Sequence, residues 1–263
     1  MPSESSVVLP DSLISDLVTQ IGDVSKILQQ EISILNDRRE EIRSRMKESS
    51  GDLRLGTLPG FVHRQNLRLL RRLKAASFPI VSSLENFDLT VDRKLRKSTI
   101  RELAGASFVT QGTNILIAGP TGVGKTHLAC ALGQAACRQG FLTLFFSLNR
   151  LLEKMALARA QGRYLSLLKK LTAASVIVLD DFGLRALTPL QLQDIYDLVD
   201  GRVESLSTIV TTQLPVENWR EILPDPVLCD AITDRIVQKA IILEMEGESY
   251  RKKRFKGSHT DPP

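Results

Sequence analysis

Residues Gly119-Pro120-Thr121-Gly122-Val123-Gly124-Lys125-Thr126 fit the pattern G-x-x-x-x-G-K-[ST], and they lie between a short apolar run, Asn114 to Ala118 (NILIA), and a segment with helix signals from Thr126 onward. No other part of the chain restricts its fold as much. The glycines let successive backbone N–H groups turn inward with no Cβ in the way, and the helix start adds the positive end of its dipole, so phosphate oxygens meet a ring of donors. Lys125 is expected to reach the β and γ phosphates of a nucleotide, and the Thr126 hydroxyl to ligate Mg²⁺. His127, in the first helical turn, closes this nucleotide-binding segment as a packing or cap residue, because phosphate-loop chemistry needs no imidazole base.

Downstream, short apolar runs alternate with amphipathic segments. Thr143 to Ser147, Ser175 to Asp180, Thr208 to Thr212 and Ile241 to Glu244 join Asn114 to Ala118 as five candidate strands, with the composition of buried parallel strands. Helix signals lie between them: Thr126 onward, Leu151 to Ala160, and Thr188-Pro189 as N-cap and first helical position. The expected fold class is α/β, a five-stranded parallel sheet flanked by helices. The 263 residues, 43% hydrophobic and 25% charged, allow one substantial core and a small second unit. No stretch approaches the roughly 20 apolar residues of a membrane helix, and MPSESSVVLPDS lacks the basic and apolar regions of a leader, which predicts a cytoplasmic protein without membrane partners. Three scattered cysteines, Cys130, Cys137 and Cys229, argue against a disulfide framework or a four-ligand zinc site.

Val176-Ile177-Val178-Leu179-Asp180-Asp181 is an apolar strand ending in two carboxylates, at the sheet edge where α/β folds bind ligands. Asp180 is expected to hold Mg²⁺ through its water shell and Asp181 to polarise the attacking water. The N/T-K-x-D signature of a guanine reader is absent, so ATP is the expected nucleotide. Thr211, Thr212 and Gln213 end the fourth strand at the same edge, as γ-phosphate sensors or as caps of the next helix. Arg202 and Arg235 read equally well as surface ion pairs.

Residues 1–60 read as a small helical region, with Val24, Leu28, Leu35 and Ile42 on one stripe, followed by linker signals at Ser49 to Gly51 and at Gly56, Pro59 and Gly60. Residues 61–105 form a basic helical segment, 106–250 the nucleotide-binding core, and 251–263 a basic tail. Between His63 and Glu102, ten basic residues face three acidic ones, an excess larger than the net charge of +5 for the whole chain. Arg64, Arg68, Arg71 and Arg72 share one helical face while Leu69, Leu70 and Leu73 occupy another. Together with Lys74, Arg93, Lys94, Lys97 and, in the tail, Lys252, Lys253 and Arg254, they are the expected contacts to nucleic-acid phosphates, the alternative being solvated faces; nothing here reads bases.

From about Leu70 to Arg251 the sequence resembles AAA+ ATPases of the IstB type, helper proteins encoded beside the transposase of certain insertion sequences, with DnaC-type helicase loaders as relatives. The resemblance rests on GPTGVGKTHLACALG (119–133), LDDFGL (179–184), STIVTTQLPVENW (207–219), DAITDRI (230–236), GESYRK (247–252) and the FDL element at Phe87, in family order and spacing. It implies that Lys125 and Thr126 bind phosphate and Mg²⁺, that Asp180 and Asp181 form the Walker B end, that Gln213 is the sensor 1 position, and that Arg235 is an arginine finger acting on a neighbouring subunit's ATP. It also implies a core without a helical lid. Asp181 stands where glutamate is commoner and Gln213 where asparagine is commoner, which implies slow, assembly-dependent hydrolysis. The implied function is an ATP-dependent homo-oligomer on duplex DNA that serves a transposase. The alternatives are a helicase loader acting on single strands and a small-molecule P-loop kinase, the latter disfavoured because no lid with arginines is present to clamp a second substrate.

Overall fold

The computed structural model describes residues 58–84, 95–203 and 205–247, with Ser33, Asp37 and Glu40 as isolated helical positions. The chain divides into a unit at Met1–Phe61 and a unit at Val62–Pro263. Val24, Leu28, Leu35, Ile42, Phe87, Arg93, Lys94, Arg251, Lys252, Lys253 and Arg254 lie outside the described residues.

Helix α1 spans Leu58–Ala76, so it begins inside the expected linker. The linker signal at Pro59 and Gly60 is its first turn: proline loses nothing there, because the first N–H groups of a helix have no intrahelical acceptor. Helix α2 covers Lys97–Ala104, and a single turn, α3, follows at Ser107–Thr110. The core then runs β1 Asn114–Ala118, α4 Lys125–Arg138, β2 Thr143–Ser147, α5 Leu148–Ala160, α6 Tyr164–Thr172, β3 Val176–Phe182, α7 Pro189–Asp200, β4 Ser207–Thr212, a 3₁₀ turn at Val216–Glu221, α8 Pro226–Val237 and β5 Ala240–Glu244. The five expected strands all form, with ends shifted by at most two residues. Helix α6 is an addition, and α5 begins three residues earlier than expected. Thr188 caps α7 through a reciprocal pair with Gln191, with Pro189 in the first turn.

All strand pairs are parallel, in the order β2-β3-β4-β1-β5. Alternate strand residues feed opposite faces, so the apolar runs divide between two cores. Ile115, Ile117, Val176, Val178 and Ile209 pack with α2 and α4, whereas Leu116, Ile177, Leu179 and Val210 pack with α5 to α8. Consequently every strand's carboxyl end opens on one edge. That edge receives the phosphate loop after β1, the acid pair ending β3 and Gln213 after β4.

The opposite edge is closed by Arg202, which is 2% exposed. Its guanidinium donates to the carbonyls of Leu171, Ala174 and Ser207 at 2.7–3.0 Å and to Thr208 Oγ1 at 3.3 Å, and burial pulls its pKa down to about 10. The expected surface ion pair is therefore replaced by a buried clamp on the strand starts. Only the sequential position of Arg202 suggested exposure; its solvent shell is supplied instead by backbone carbonyls that would otherwise lack donors.

Candidate active site

The loop from Gly119 to Gly124 turns through three glycines at positive φ, Gly119 at +154°, Gly122 at +86° and Gly124 at +102°. Gly119 is additionally required by a neighbour, since a Cβ there would lie 2.2 Å from the Met245 carbonyl oxygen just beyond β5. Gly124 is the N-cap of α4, so the loop delivers the chain directly into the helix whose amino end faces it. Val123 is buried, while Pro120 and Thr121 are exposed at the rim. Lys125 is 6% exposed, and its Nζ donates to the carbonyls of Gly119 and Pro120 at 2.8 and 2.9 Å. His127 is half-buried in the first turn.

Across from the loop, the Thr126 hydroxyl lies 3.0 Å from both carboxylate oxygens of Asp180, and Thr211 Oγ1 donates to Oδ1 at 2.6 Å. Asp180 is held above the usual carboxylate range, first by burial and then by the charge of Asp181, with the hydrogen bonds from Thr211 and Thr126 opposing. A buried carboxylate already turned toward a threonine hydroxyl is a donor set suited to a hard divalent cation that keeps its remaining ligands from water and phosphate. The same buried charge helps push the Cys130 thiol up to about 12, after burial itself, so that cysteine is an inert packing residue.

Asp181 is placed by a bulge. Leu179 pairs with Val210 and Phe182 with Thr212, so Asp180 and Asp181 together oppose Thr211. Asp181 takes φ +60°, and its N–H donates to Thr211 Oγ1 at 2.9 Å. Thr211 thus ties both acids together from one side chain. Thr212 is buried and bonds within its own turn to Leu214, while Gln213 accepts a 2.5 Å hydrogen bond from Thr121 Oγ1 in the phosphate loop.

Arg235 sits elsewhere. The side chain of Asn114, the first residue of β1, donates to the Arg235 and Ile236 carbonyls, placing the end of α8 at the amino edge of the sheet, opposite the phosphate loop. Of the basic stripe, Arg64, Arg68, Arg71, Lys74 and Lys97 are exposed. Arg72 differs: it is half-buried, and its Nη1 donates to the Cys137 carbonyl in the last turn of α4 at 3.3 Å. The apolar side of α1 is incompletely covered, with Leu69 and Leu73 half-buried but Leu70 43% exposed.

A second basic surface escaped the sequence reading. Helices α5 and α6 form a hairpin turned at Gly162, φ +66°, and residues 148–173 carry Arg150, Lys154, Arg159, Arg163, Lys169 and Lys170 against Glu153 alone. Arg159 pairs with Asp194 and stacks over Tyr164, while Arg150, Lys154, Arg163, Lys169 and Lys170 have exposed side chains. Counting charge in that window would have found it. Among the described residues no helix is long and apolar enough to cross a membrane.

Residues 57–258 match the family described as "IstB-like ATP binding protein". An insertion-sequence ATP-binding protein of Sinorhizobium fredii (strain NBRC 101917 / NGR234) is 37% identical over 195 residues, which cover 74% of this chain and 80% of that protein. An ATP-binding protein of insertion sequence IS21 from Pseudomonas aeruginosa is 38% identical over 182 residues, 69% of each chain. Among solved structures, the DnaC helicase loader is similar with a TM-score of 0.52 at 23% identity, over 67% of this chain and 99% of that one. The AMPPCP-bound DnaA of Aquifex aeolicus gives 0.56 at 18% identity, over 71% and 58%. These two likenesses concern the fold. Because the family match runs without interruption through the phosphate loop, the acid pair and the last strand, the chain belongs to the IstB-like ATP-binding proteins and is an ATPase of the AAA+ type.

Proposed function

We propose that this ATPase is a transposition helper that oligomerises on duplex DNA in an ATP-dependent manner and delivers or activates that DNA for a transposase. The observation that carries the reading is the Arg72 contact. It fastens the exposed arginines Arg64, Arg68 and Arg71 to the far end of α4, the helix whose near end is the phosphate loop, so nucleotide and polyanion act on one rigid element. The exposed bases of the α5–α6 hairpin enlarge the cationic surface, and the insertion-sequence names of the relatives support transposase as the partner class.

In the proposed reaction, Lys125 exchanges the Gly119 and Pro120 carbonyls for the β and γ phosphates, and the loop N–H groups hold the remaining oxygens. Thr126 and Asp180 would hold Mg²⁺, which would neutralise developing phosphate charge. Asp181 orients the attacking water, and Gln213, already bonded to the loop through Thr121, senses the γ phosphate. Arg235, at the sheet edge opposite its own loop, is read from the family resemblance as a finger on the neighbouring subunit's ATP, a reading that this placement supports. The aspartate in place of glutamate and its strained φ support slow hydrolysis.

Salt-series binding isotherms with duplex and single-stranded probes, with and without ATP, test the reading. Log affinity should fall linearly with log salt, by about 0.9 per duplex phosphate neutralised. The Arg64, Arg68 and Arg71 to Ala triple variant should flatten that slope and leave ATP affinity intact. A preference for duplex that grows with ATP supports the helper; a preference for single strands favours a helicase loader and refutes it.

A further inference from the structure

Arg235 is held far more elaborately than the exposed arginine nearest to it in type. Arg220 forms an ordinary ion pair with Asp230, both well exposed at 69% and 59% of their side chains. Arg235, 25% exposed, engages all three of its guanidinium nitrogens. Nε donates to Asp200 Oδ1 at 2.8 Å, Nη2 lies 2.7 Å from the same oxygen and 3.2 Å from the Tyr196 hydroxyl, and Nη1 donates to the Ala231 carbonyl at 3.1 Å. Its plane also covers the Tyr196 ring, 4.8 Å from the centroid.

Both partners come from α7, four residues apart and therefore on one helical face. Asp200 is the last residue of that helix, where unpaired carbonyls disfavour a carboxylate. An acid there is unfavourable on its own, and Arg235 supplies the compensating cation. The cluster borders an open cavity of about 250 Å³ at the amino edge of the sheet, which leaves room for the side chain to swing out.

We propose that Asp200 and Tyr196 form a latch that parks Arg235 on its own subunit, so that trans action begins only when the neighbour's γ phosphate displaces the Asp200 carboxylate. The proposal rests on the trans reading of Arg235. The exchange is one anion for another with no covalent change. Because Asp200 is 49% exposed, water weakens the latch, and releasing it should raise hydrolysis at limiting protein concentration by about two- to fivefold, the range that an exposed ion pair can supply.

Mixed assemblies separate the latch from its premise. Lys125→Ala subunits supply only a finger and Arg235→Ala subunits only a pocket, so their mixture should recover the hydrolysis that each lacks. Asp200→Asn is then placed on one partner at a time. On the finger-supplying Lys125→Ala subunit it should raise the recovered rate two- to fivefold, with ATP affinity as in the parent. On the pocket-supplying Arg235→Ala subunit it should change nothing. Asp200→Glu, which keeps the charge, should return the rate toward the parent mixture, and Tyr196→Phe should give a smaller rise than Asp200→Asn. Recovery in the parent mixture with equal, absent or negative effects of Asp200→Asn on the finger subunit overturns the latch while sparing the trans reading. No recovery in the parent mixture overturns the trans reading, and the latch with it.

Discussion

Asp181 is built into strain, and the amount can be read from substitution. A residue with a Cβ at φ +60° carries a left-handed penalty of roughly 1–2 kcal/mol, of which aspartate recovers part by local hydrogen bonding and alanine none. Glycine escapes the penalty but adds freedom to the unfolded chain, which returns about 0.4–1 kcal/mol. Asp181→Gly should therefore exceed Asp181→Ala in stability by roughly 0–1.6 kcal/mol, the strain relieved less the entropy returned. Both variants remove the charge that raises the Asp180 pKa, so this contribution cancels in the comparison. Urea unfolding of nucleotide-free protein measures the difference, provided that the two variants share one denaturant slope. Both should bind ATP, since Lys125, Thr126 and Asp180 are untouched, and both should fail to hydrolyse it. An alanine variant more stable than the glycine variant would refute the claim that the bulge forces Asp181 into the left-handed region.

Three further outcomes follow from the same geometry. Asp180 has a folded pKa above its unfolded one, so its contribution to stability is present at low pH and lost as pH rises through the folded value. Nucleotide-free Asp180→Asn should hence be more stable than the parent at pH 7 to 8, with the gap closing as pH falls toward the unfolded aspartate value of about 3.9, followed by thermal unfolding across pH. Arg202→Met should cost at least about 3 kcal/mol, because three buried carbonyls lose their donor at roughly 1–3 kcal/mol each, while ATP affinity stays unchanged when the folded protein is titrated with a fluorescent analogue. Gly119→Ala would drive a Cβ into the Met245 carbonyl, which is pinned by the Met245 N–H bond to the Ala118 carbonyl at 2.8 Å; the expected loss of about 1–3 kcal/mol, with weakened ATP binding, is checked by melting with and without ATP.

The strands were legible because each carries a short apolar run, buried on both faces in the inner strands β1, β3 and β4, and β1 and β2 end where NILIA and TLFFS end. The phosphate loop and the acid pair were legible because their chemistry needs particular residue types at fixed spacing. What the sequence hides is geometry that leaves no compositional mark. The bulge at Asp180 and Asp181 interrupts no pattern, since VIVLDD reads as a continuous strand either way. The buried state of Arg202 depends on carbonyls contributed by α6, its following turn and β4, none of which advertises an arginine partner. Helix α6 carries a mixture of Leu, Lys and Ser that competes with a loop reading until its buried Tyr164 and Leu171 are seen against the core.

A parallel sheet with its phosphate loop on one edge and Arg235 on the other gives every subunit two unlike ends. On the trans reading, contact is head to tail, a heterologous interface that closes into a ring only if its rotation happens to fit and otherwise grows as an open helix. An open assembly then always holds one fewer complete hydrolytic site than it has subunits. The subunit at one end keeps a nucleotide that no finger can reach, so that end stays in its ATP form while the interior turns over, and the assembly acquires a direction: one end persists as the place where the next subunit adds, and the other carries a finger waiting for a nucleotide to arrive.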